Sequence, residues 1–560
     1  MSIKLLCNVK RQNKLPGSFK AIEFINKFNE KVIDLLPTKL LISPKALMEW
    51  FIDRHFELSP DEEWKNIVEL LKQKTDKTGE IVDQIGFHGK SYLLSNGTII
   101  GLQEEHTLFL DPEHPIHLPH YGVCGSLDDW KKYIAPAAVH SSRIMLAIGN
   151  ALSGYLLFLV NIESGGFNLF GKSSIGKTTT EKIGISISGP RSNLQSWNFT
   201  KTGAEDLAYG HNDNHLALDE LKTLDGDPTR ATQKASEFIY SISSGKGKSR
   251  SKKYESHQKS WRVVLLSTGE LSLAKHAKNG HSRRMEGEEV RVIDVPADAG
   301  KGLGIYETLP EEFTDASSYA EYLDQQSQQY YGTAQEAFLE KLIAEINEEN
   351  AEQTVKDQLA EWMEKFRSKC GVDQESGVDV RFANRFALAC AAGCLAVKYG
   401  VLPFTRQDVF EGISACYKAA LVMKPENWEE QLIRHEEKLS EYLTSKEFPA
   451  LDSQESWSKK EIEKNDGFSH TVNGIQLIVL KPDVVRSLIP EFYLKDVMRS
   501  CKSKGYLLPG ADGSNTRSIA LNGKKVRHYC FVWPQDKSNI AATKKLIKGY
   551  SMKMKQNNEE

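Results

Sequence analysis

Apolar positions along this chain fall into distinct regimes. From about 136 to 300, short apolar runs alternate with helical patterns, which predicts a parallel α/β sheet flanked by helices. FNLF (167–170), HLAL (215–218), WRVVLL (261–266) and VRVIDV (290–295) read as its buried strands. Residues 1–75 read as mostly helical by period, in AIEFINKFNEKVIDLL and WKNIVELLKQ, and residues 311–425 return to helix. Residues 80–120 read as β-rich, with SYLLSNGTIIG forming a hairpin that turns at Asn96-Gly97. EEQLIRHEEKLSEYLTSK reads as a charged surface helix and the polar residues 450–468 as a linker. Beyond it, Pro490–Lys504 predicts a helix stopped by Gly505. TRSIALNGKKVRHYCFVW predicts a hairpin turning at Asn522-Gly523, and helix then hairpin at this size suggests a winged helix. The lysine-rich tail from Lys537 to Glu560 reads as loose.

The expected boundaries are an N-terminal helical region at 1–75, a small β-rich region at 76–135, an α/β core at 136–310, and a helical region at 311–425. A helix and linker at 426–468, a winged helix at 469–535 and a basic tail at 536–560 complete the chain. Composition supports several soluble domains: of 560 residues, 40% are apolar and 26% charged, enough to bury a large core. The net charge of -3 makes no global call for nucleic acid, so any such contact must come from local basic patches. The eight cysteines include no CxxC pair, and Cys390 and Cys394, one helical turn apart in an apolar run, read as core thiols of a cytoplasmic protein. Ile144 to Ile162 carries no charge and is long enough to span a bilayer. Gly149, Asn150, Ser153 and Gly154 interrupt it, so a buried core helix and no membrane partner are expected.

The chemistry concentrates in the α/β core. Gly171-Lys172-Ser173-Ser174-Ile175-Gly176-Lys177-Thr178 fits GxxxxGK[ST], between a predicted strand and a predicted helix, TTTEKIGISISG, that opens with Thr178 and Thr179. In such a P-loop, backbone N–H groups and the helix N-terminus face phosphates, the lysine reaches the β- and γ-phosphates and the threonine holds Mg²⁺. Lys177 and Thr178 take those places, with ATP and Mg²⁺ as the expected cofactors. HLALDE ends a strand on Asp219-Glu220: Asp219 is the expected metal ligand, and Glu220 polarises the attacking water, which favours hydrolysis over phosphoryl transfer to another substrate. WRVVLLSTGE ends on Ser267-Thr268, and Thr268, or Ser267, is placed to bond the γ-phosphate or the water. A basic cluster follows: His281, Arg283, Arg284 and then Arg291 at the start of VRVIDVP. Arg291 is the first candidate, and Arg284 the second, for an arginine that stabilises transition-state charge in a neighbouring subunit.

Taken in order, GKSSIGKTT, LALDE, WRVVLLSTGE, VRVIDVPAD, YYGTAQEAFLE and VRFANRFALACAAG resemble the Cch-like helicases of mobile genetic elements. These are relatives of the minichromosome-maintenance (MCM) helicases, long catalogued as a domain of unknown function. The resemblance runs from roughly 80 to 535 and is strongest from 165 to 395. It implies an AAA+ core, a helical lid, a C-terminal winged helix and a homo-oligomeric, hexameric ring on single-stranded or forked DNA. In the lid pattern an arginine senses nucleotide, and Arg381 matches best, with Arg385 one turn later as the alternative. The chain departs from the MCM pattern at Thr268, where an asparagine is usual, and residues 1–75 match nothing nameable.

Between the acidic strand and Thr268 lies SSGKGKSRSKKYESHQKSW. MCM-type rings carry a pore hairpin at this point, and Lys246, Lys248, Arg250, Lys252 and Lys253 suit contacts to phosphates, which position DNA without reading sequence. The C-terminal region adds Lys495, Arg499, Lys502, Lys504, Arg517, Lys524, Lys525 and Arg527. The expected function is an ATP-driven helicase or translocase replicating a mobile element. The alternative is a DNA-sensing ATPase switch in a defence or regulatory assembly, and a small-molecule kinase fits the basic loop and lid least.

Overall fold

The computed structural model describes residues 3–11, 17–57, 61–101, 106–111, 118–248, 258–282, 284–349, 351–423, 425–450, 464–472, 474–521, 524–532 and 537–557. The chain divides into two units, Met1–Glu364 with Arg381–Tyr417, and Lys365–Val380 with Lys418–Glu560.

The first unit is organised by a five-stranded parallel sheet. Its strands lie in the order Gln195–Ser196, Asn214–Asp219, Val263–Gly269, Gly165–Phe170, Val292–Pro296. The four longer strands are almost entirely buried, as apolar runs without alternation require of a sheet covered on both faces. One cover is the helix Ser142–Gly154, every residue of which is buried, packed on the strands Asn214–Asp219 and Val263–Gly269 and on the helix Lys177–Ile185. This is the stretch expected to form a core helix. The helices Lys201–Gly210 and Pro228–Ser244 contribute Ala204, Leu207, Phe238, Ile239 and Ile242 to a second core with Leu216, Leu218, Val263 and Leu265. The helices Ala316–Gln329, Thr333–Asn347, Ala351–Lys369, Gly377–Lys398 and Arg406–Val422 follow as expected. Gly377–Lys398 is the one described helix long and apolar enough to cross a membrane, and most of its apolar window is buried inside the protein. Cys390 and Cys394 are buried thiols on it.

The N-terminus corrects the helical reading. AIEFINKFNEKVIDLL is a β-hairpin of the strands Ser18–Ile25 and Lys31–Pro37, and with Lys4–Arg11, Thr78–Val82 and His106–Leu110 it forms a five-stranded mixed sheet. Two asparagines decide this. The Asn26 side chain accepts from the N–H groups of Phe28 and Glu30 at 3.0 and 2.9 Å, and Asn29 takes a left-handed φ of 62°. Both are turn devices that a helix interior does not accommodate. The strands are apolar on both faces: Ile22, Phe24 and Leu36 pack toward Trp50, Phe51 and Trp64, while Phe19, Ala21 and Leu35 pack with Cys7, Val9 and Ile81. Doubled faces erase the period of two and imitate a helical stripe. Helices do occur at Pro44–Ile52 and Asp61–Lys72, the latter holding WKNIVELLK. The hairpin through Asn96-Gly97 forms, pairing Ser91–Leu93 with Ile99–Ile100.

The second unit carries a four-stranded antiparallel sheet in the order Gly467–Val472, Ile475–Leu480, Lys524–Val532, Arg517–Leu521. The expected helix spans Glu491–Lys504 and ends on Gly505 at φ 81°. The expected hairpin pairs Arg517–Leu521 with Lys524–Val532; its turn, Asn522-Gly523, lies outside the described residues. The helix Pro425–Ser445 is less of a surface element than its charges suggest, because Leu439 and Leu443 are buried. The tail is corrected too. Lys537–Asn557 is a helix whose Ile540 and Leu546 pack on the core of Ile475, Leu477, Val479 and Cys530, with Thr543 fully buried between them. A spacing of three residues is a helical face, and the lysines around it hide the pattern.

Candidate active site

The loop 171–176 leaves the strand Gly165–Phe170 and enters the helix Lys177–Ile185. Gly176 caps that helix at φ 101°, and a Cβ there would meet the Ile305 side chain at 2.8 Å, so glycine is required on two counts. Ser174 is left-handed as well, at φ 61°. The unpaired N–H groups of the first helical turn thus open on a cleft of about 720 Å³, lined by Ser173 to Thr179, Asp219, Glu220, Glu270 and residues of the helix Ala316–Gln329. Lys177 Nζ donates to the carbonyls of Gly171 and Lys172 at 2.9 and 2.7 Å.

Asp219 stands at the centre. Thr268 Oγ1 donates to its Oδ1 at 2.6 Å and Thr178 Oγ1 to its Oδ2 at 3.4 Å. Three elements far apart in sequence therefore meet on one carboxylate. Glu220, next in the chain, has φ 58° and ψ 75°, a left-handed backbone that costs a non-glycine residue on the order of 1 kcal/mol or more. Its N–H donates to Thr268 Oγ1 at 3.4 Å, while its carboxylate Oε1 is buried with no hydrogen-bond partner. Glu181, one turn after Lys177, is fully buried beside them. Burial, then the Asp219 charge, pushes its carboxyl well above the usual range, which favours the protonated form. The sequence signal for Glu181 was a lone acid on the inward face of a helix, and it was missed, as was Glu270 at the cleft wall.

Between the two hydroxyl candidates, the structure separates Thr268 from Ser267. Ser267 points to the opposite face of the strand, where its Oγ accepts from Trp197 Nε1 at 2.9 Å and donates to Asn168 Oδ1 at 3.2 Å.

The arginines are not brought to this cleft. Arg385 is buried and donates to the carbonyls of Val290, Glu163 and Ser164 at 2.8, 3.1 and 3.0 Å. These lie at the starting ends of the strands, opposite the glycine loop, and the desolvated guanidinium is pulled down to about 10. The expectation that Arg385, the alternative, senses nucleotide is thereby corrected: each of its nitrogens bonds main chain away from the cleft. Arg381, one turn earlier, is exposed and does not line the cleft. Arg284 is corrected likewise. Its side chain is 5% exposed and bonds Asp294 Oδ2 at 2.8 Å and the carbonyls of Glu288 and Val292, so it does not reach outward. Arg291 keeps 21% exposure; it donates to Gly287 O at 2.7 Å and pairs with Glu163 at 3.3 Å. Arg283 lies outside the described residues.

The basic segment has antiparallel arms. Gly247 N donates to Lys259 O at 2.8 Å, Trp261 N to Gly245 O at 2.9 Å, and Lys246 bridges Ser260. Lys246 and Lys248 are exposed on the first arm, and Arg250, Lys252 and Lys253 lie outside the described residues. In the second unit, three of the basic side chains singled out are neutralised locally: Arg499 by Asp496, Lys504 by Glu436 and Arg527 by Asp512.

The family model described as "Domain of unknown function (DUF927)" matches residues 18–262, which includes the glycine loop and the acid pair and begins within the N-terminal strands. No curated protein matches the chain. The solved structure described as "SCCmec type IV Cch - active helicase" is similar over 96% of this chain and 94% of that one, at 15% identity and a TM-score of 0.55. "The A form apo structure of NrS-1 C terminal region-CTR" is similar at 13% identity over 74% of this chain and 91% of that one, with a TM-score of 0.24. The likeness extends further toward the N-terminus than residue 80, where the sequence motifs had placed its start. The resemblance carried by those motifs is borne out: this chain shares the fold of the Cch helicase structure along nearly its whole length, and residues 18–262 match the family model of unknown function.

Proposed function

We propose that the chain is an ATP-hydrolysing AAA+ helicase or translocase that works on DNA as a homo-oligomeric, hexameric ring. The observation that carries this reading is the convergence of Thr178 and Thr268 on Asp219, with the unbonded, buried Oε1 of Glu220 beside it. The strand order supports it: the Thr268 strand lies between the glycine-loop strand and the acidic strand, so all three sets of groups meet at the same end of the sheet. Bound Mg²⁺ and ATP would supply a polarised γ-phosphoryl group. The hydroxyl of Thr178 and the carboxylate of Asp219 are the hard oxygen donors that fit the ion. The N–H groups of 174–178 and the Lys177 ammonium hold phosphate oxygens, Glu220 takes the proton of the attacking water, and Thr268 keeps Asp219 and the Glu220 backbone in register.

Arg291 lies at the far end of the sheet from its own cleft and keeps part of its surface, which supports a role in the neighbour's site. The helices of 311–425 act as lid and the C-terminal sheet and helices as winged helix. The paired arms at 245–247 and 259–261 support the pore hairpin, with Lys246, Lys248, Arg250, Lys252 and Lys253 on DNA phosphates. The biological setting proposed is replication of a mobile element.

The test is phosphate release and fork unwinding in one preparation. Glu220→Gln should bind ATP and hydrolyse it far more slowly; normal turnover would sink the assignment. Arg291→Ala mixed with Lys177→Ala should regain turnover, since one interface keeps both intact partners. An ATPase stimulated by DNA that unwinds no fork would turn the reading to a DNA-sensing switch.

A further inference from the structure

The carboxylate of Asp294 gathers four hydrogen-bond donors and does not line the cleft itself. It lies on the strand Val292–Pro296, and its side chain is 10% exposed. Asn168 Nδ2 donates to Oδ1 at 2.7 Å and Leu273 N to the same oxygen at 2.9 Å; Ala274 N and Arg284 Nη1 donate to Oδ2 at 3.2 and 2.8 Å. Four donors from three separate elements use nearly the full accepting capacity of a carboxylate. Two of them, Leu273 N and Ala274 N, open the helix Leu273–Asn279 that follows the Thr268 strand, so Asp294 anchors the far side of the 269–272 turn.

The near side of that turn is held by the same chain of bonds. Asn168 passes through Ser267 to Trp197, at 3.2 and 2.9 Å. Thr268 faces the other way and bonds Asp219, and Gly269 O accepts from Gly171 N at 3.1 Å. The tip of the Thr268 strand is thus pinned from both faces, and the turn that bears Glu270 is pinned at both ends. A buried Arg–Asp pair contributes geometry more than stability, because desolvation offsets most of its attraction, and here Arg284 Nε is left without a partner.

We propose that Asp294 is a positioning residue for hydrolysis: through Asn168, Ser267 and the start of the helix Leu273–Asn279 it fixes Thr268 and the Glu270 turn against Asp219, and it ties the Arg284 segment to the same framework. This rests on the nucleotide reading of the cleft. It assigns Arg284 to an internal strut rather than to a neighbouring subunit. Binding of the triphosphate depends on Lys177, Thr178 and the glycine-loop N–H groups, none of which Asp294 touches, so the effect falls on turnover.

Asp294→Asn is nearly isosteric but sets an NH2 against N–H donors, so at least one contact on that side is lost. With the full-length protein, the expected result is a tenfold or greater fall in kcat for ATP hydrolysis with KM changed less than threefold. Ser267→Ala removes one hydroxyl from the same chain and should slow turnover about threefold, and the double variant should fall short of the product of the two, as members of one network do. A folded Asp294→Asn protein with wild-type kcat overturns the proposal. Should that variant not fold, wild-type kcat in Ser267→Ala overturns it instead. If the wild type hydrolyses no nucleoside triphosphate, the reading of the cleft fails by itself. Hydrogen exchange at residues 269–274 then decides this inference: it should quicken in Asp294→Asn, and unchanged protection there overturns it.

Discussion

The two ends of the central sheet are built on opposite terms. At the ends where the strands start, charge is paired: each nitrogen of the buried Arg385 bonds a carbonyl, and the half-exposed Arg262 makes a two-pronged pair with the wholly buried Asp213 at 2.6 and 2.7 Å. Where the strands finish, charge is gathered but left short of partners. Glu220 has an orphan oxygen on a left-handed backbone, burial raises the Glu181 carboxyl well above its usual range, and the first turn of a helix opens on a cleft. The first arrangement leaves few polar groups unpaired and fixes the geometry of the strand starts. The second stores unsatisfied polarity, which costs the fold and leaves bonding capacity for a ligand.

This contrast can be broken experimentally. The largest effect should come from Glu220→Gln: a hundredfold or greater loss of phosphate release, with denaturant stability unchanged or raised, since a buried carboxylate oxygen without a partner loses its charge. Loss of stability in that variant would mean the carboxylate is structural after all. At the other end, Arg385→Leu leaves three buried carbonyls without donors and should lower unfolding free energy by about 3 kcal/mol or more in urea titration. A stable variant with altered nucleotide affinity would return Arg385 to the site. Truncation before Lys537 should destabilise the second unit by about 2–3 kcal/mol, from the lost burial of Ile540, Thr543 and Leu546, read as a lower melting temperature for that unit. The smallest change should be seen with Lys246→Ala and Lys248→Ala together: DNA affinity falls about tenfold on every sequence and its salt dependence becomes shallower.

The cleft was largely legible in the sequence because its residues sit in local patterns. A glycine loop between strand and helix, and strands that end on Asp219-Glu220 and Ser267-Thr268, each announce their own geometry. The arginines were not legible. What occupies Arg385 is the carbonyls of residues 163, 164 and 290, and no local pattern records that residues so distant will meet. Arg284 was read from its charge, whereas its burial follows from Asp294, ten positions away on another strand. The N-terminal strands failed for a different reason. Their turn rests on side-chain bonds from Asn26 and the backbone of Asn29, and apolar residues on both faces masked the alternation. In the tail, charge drew attention from Ile540, Thr543 and Leu546, which lie on its packed face.

The strands Asn214–Asp219 and Val263–Gly269 are fastened to each other at both ends, by Arg262 on Asp213 at one and by Thr268 on Asp219 at the other, with a parallel ladder between. Strands resist stretching, rising about 3.3 Å per residue with little slack. The pair therefore behaves as one stiff stave, and the returning arm of the basic hairpin, Lys259 to Trp261, is its direct continuation. A displacement imposed on Asp219 has no hinge in which to dissipate before it reaches Ser260: the whole stave, hairpin root included, has to tilt or slide together.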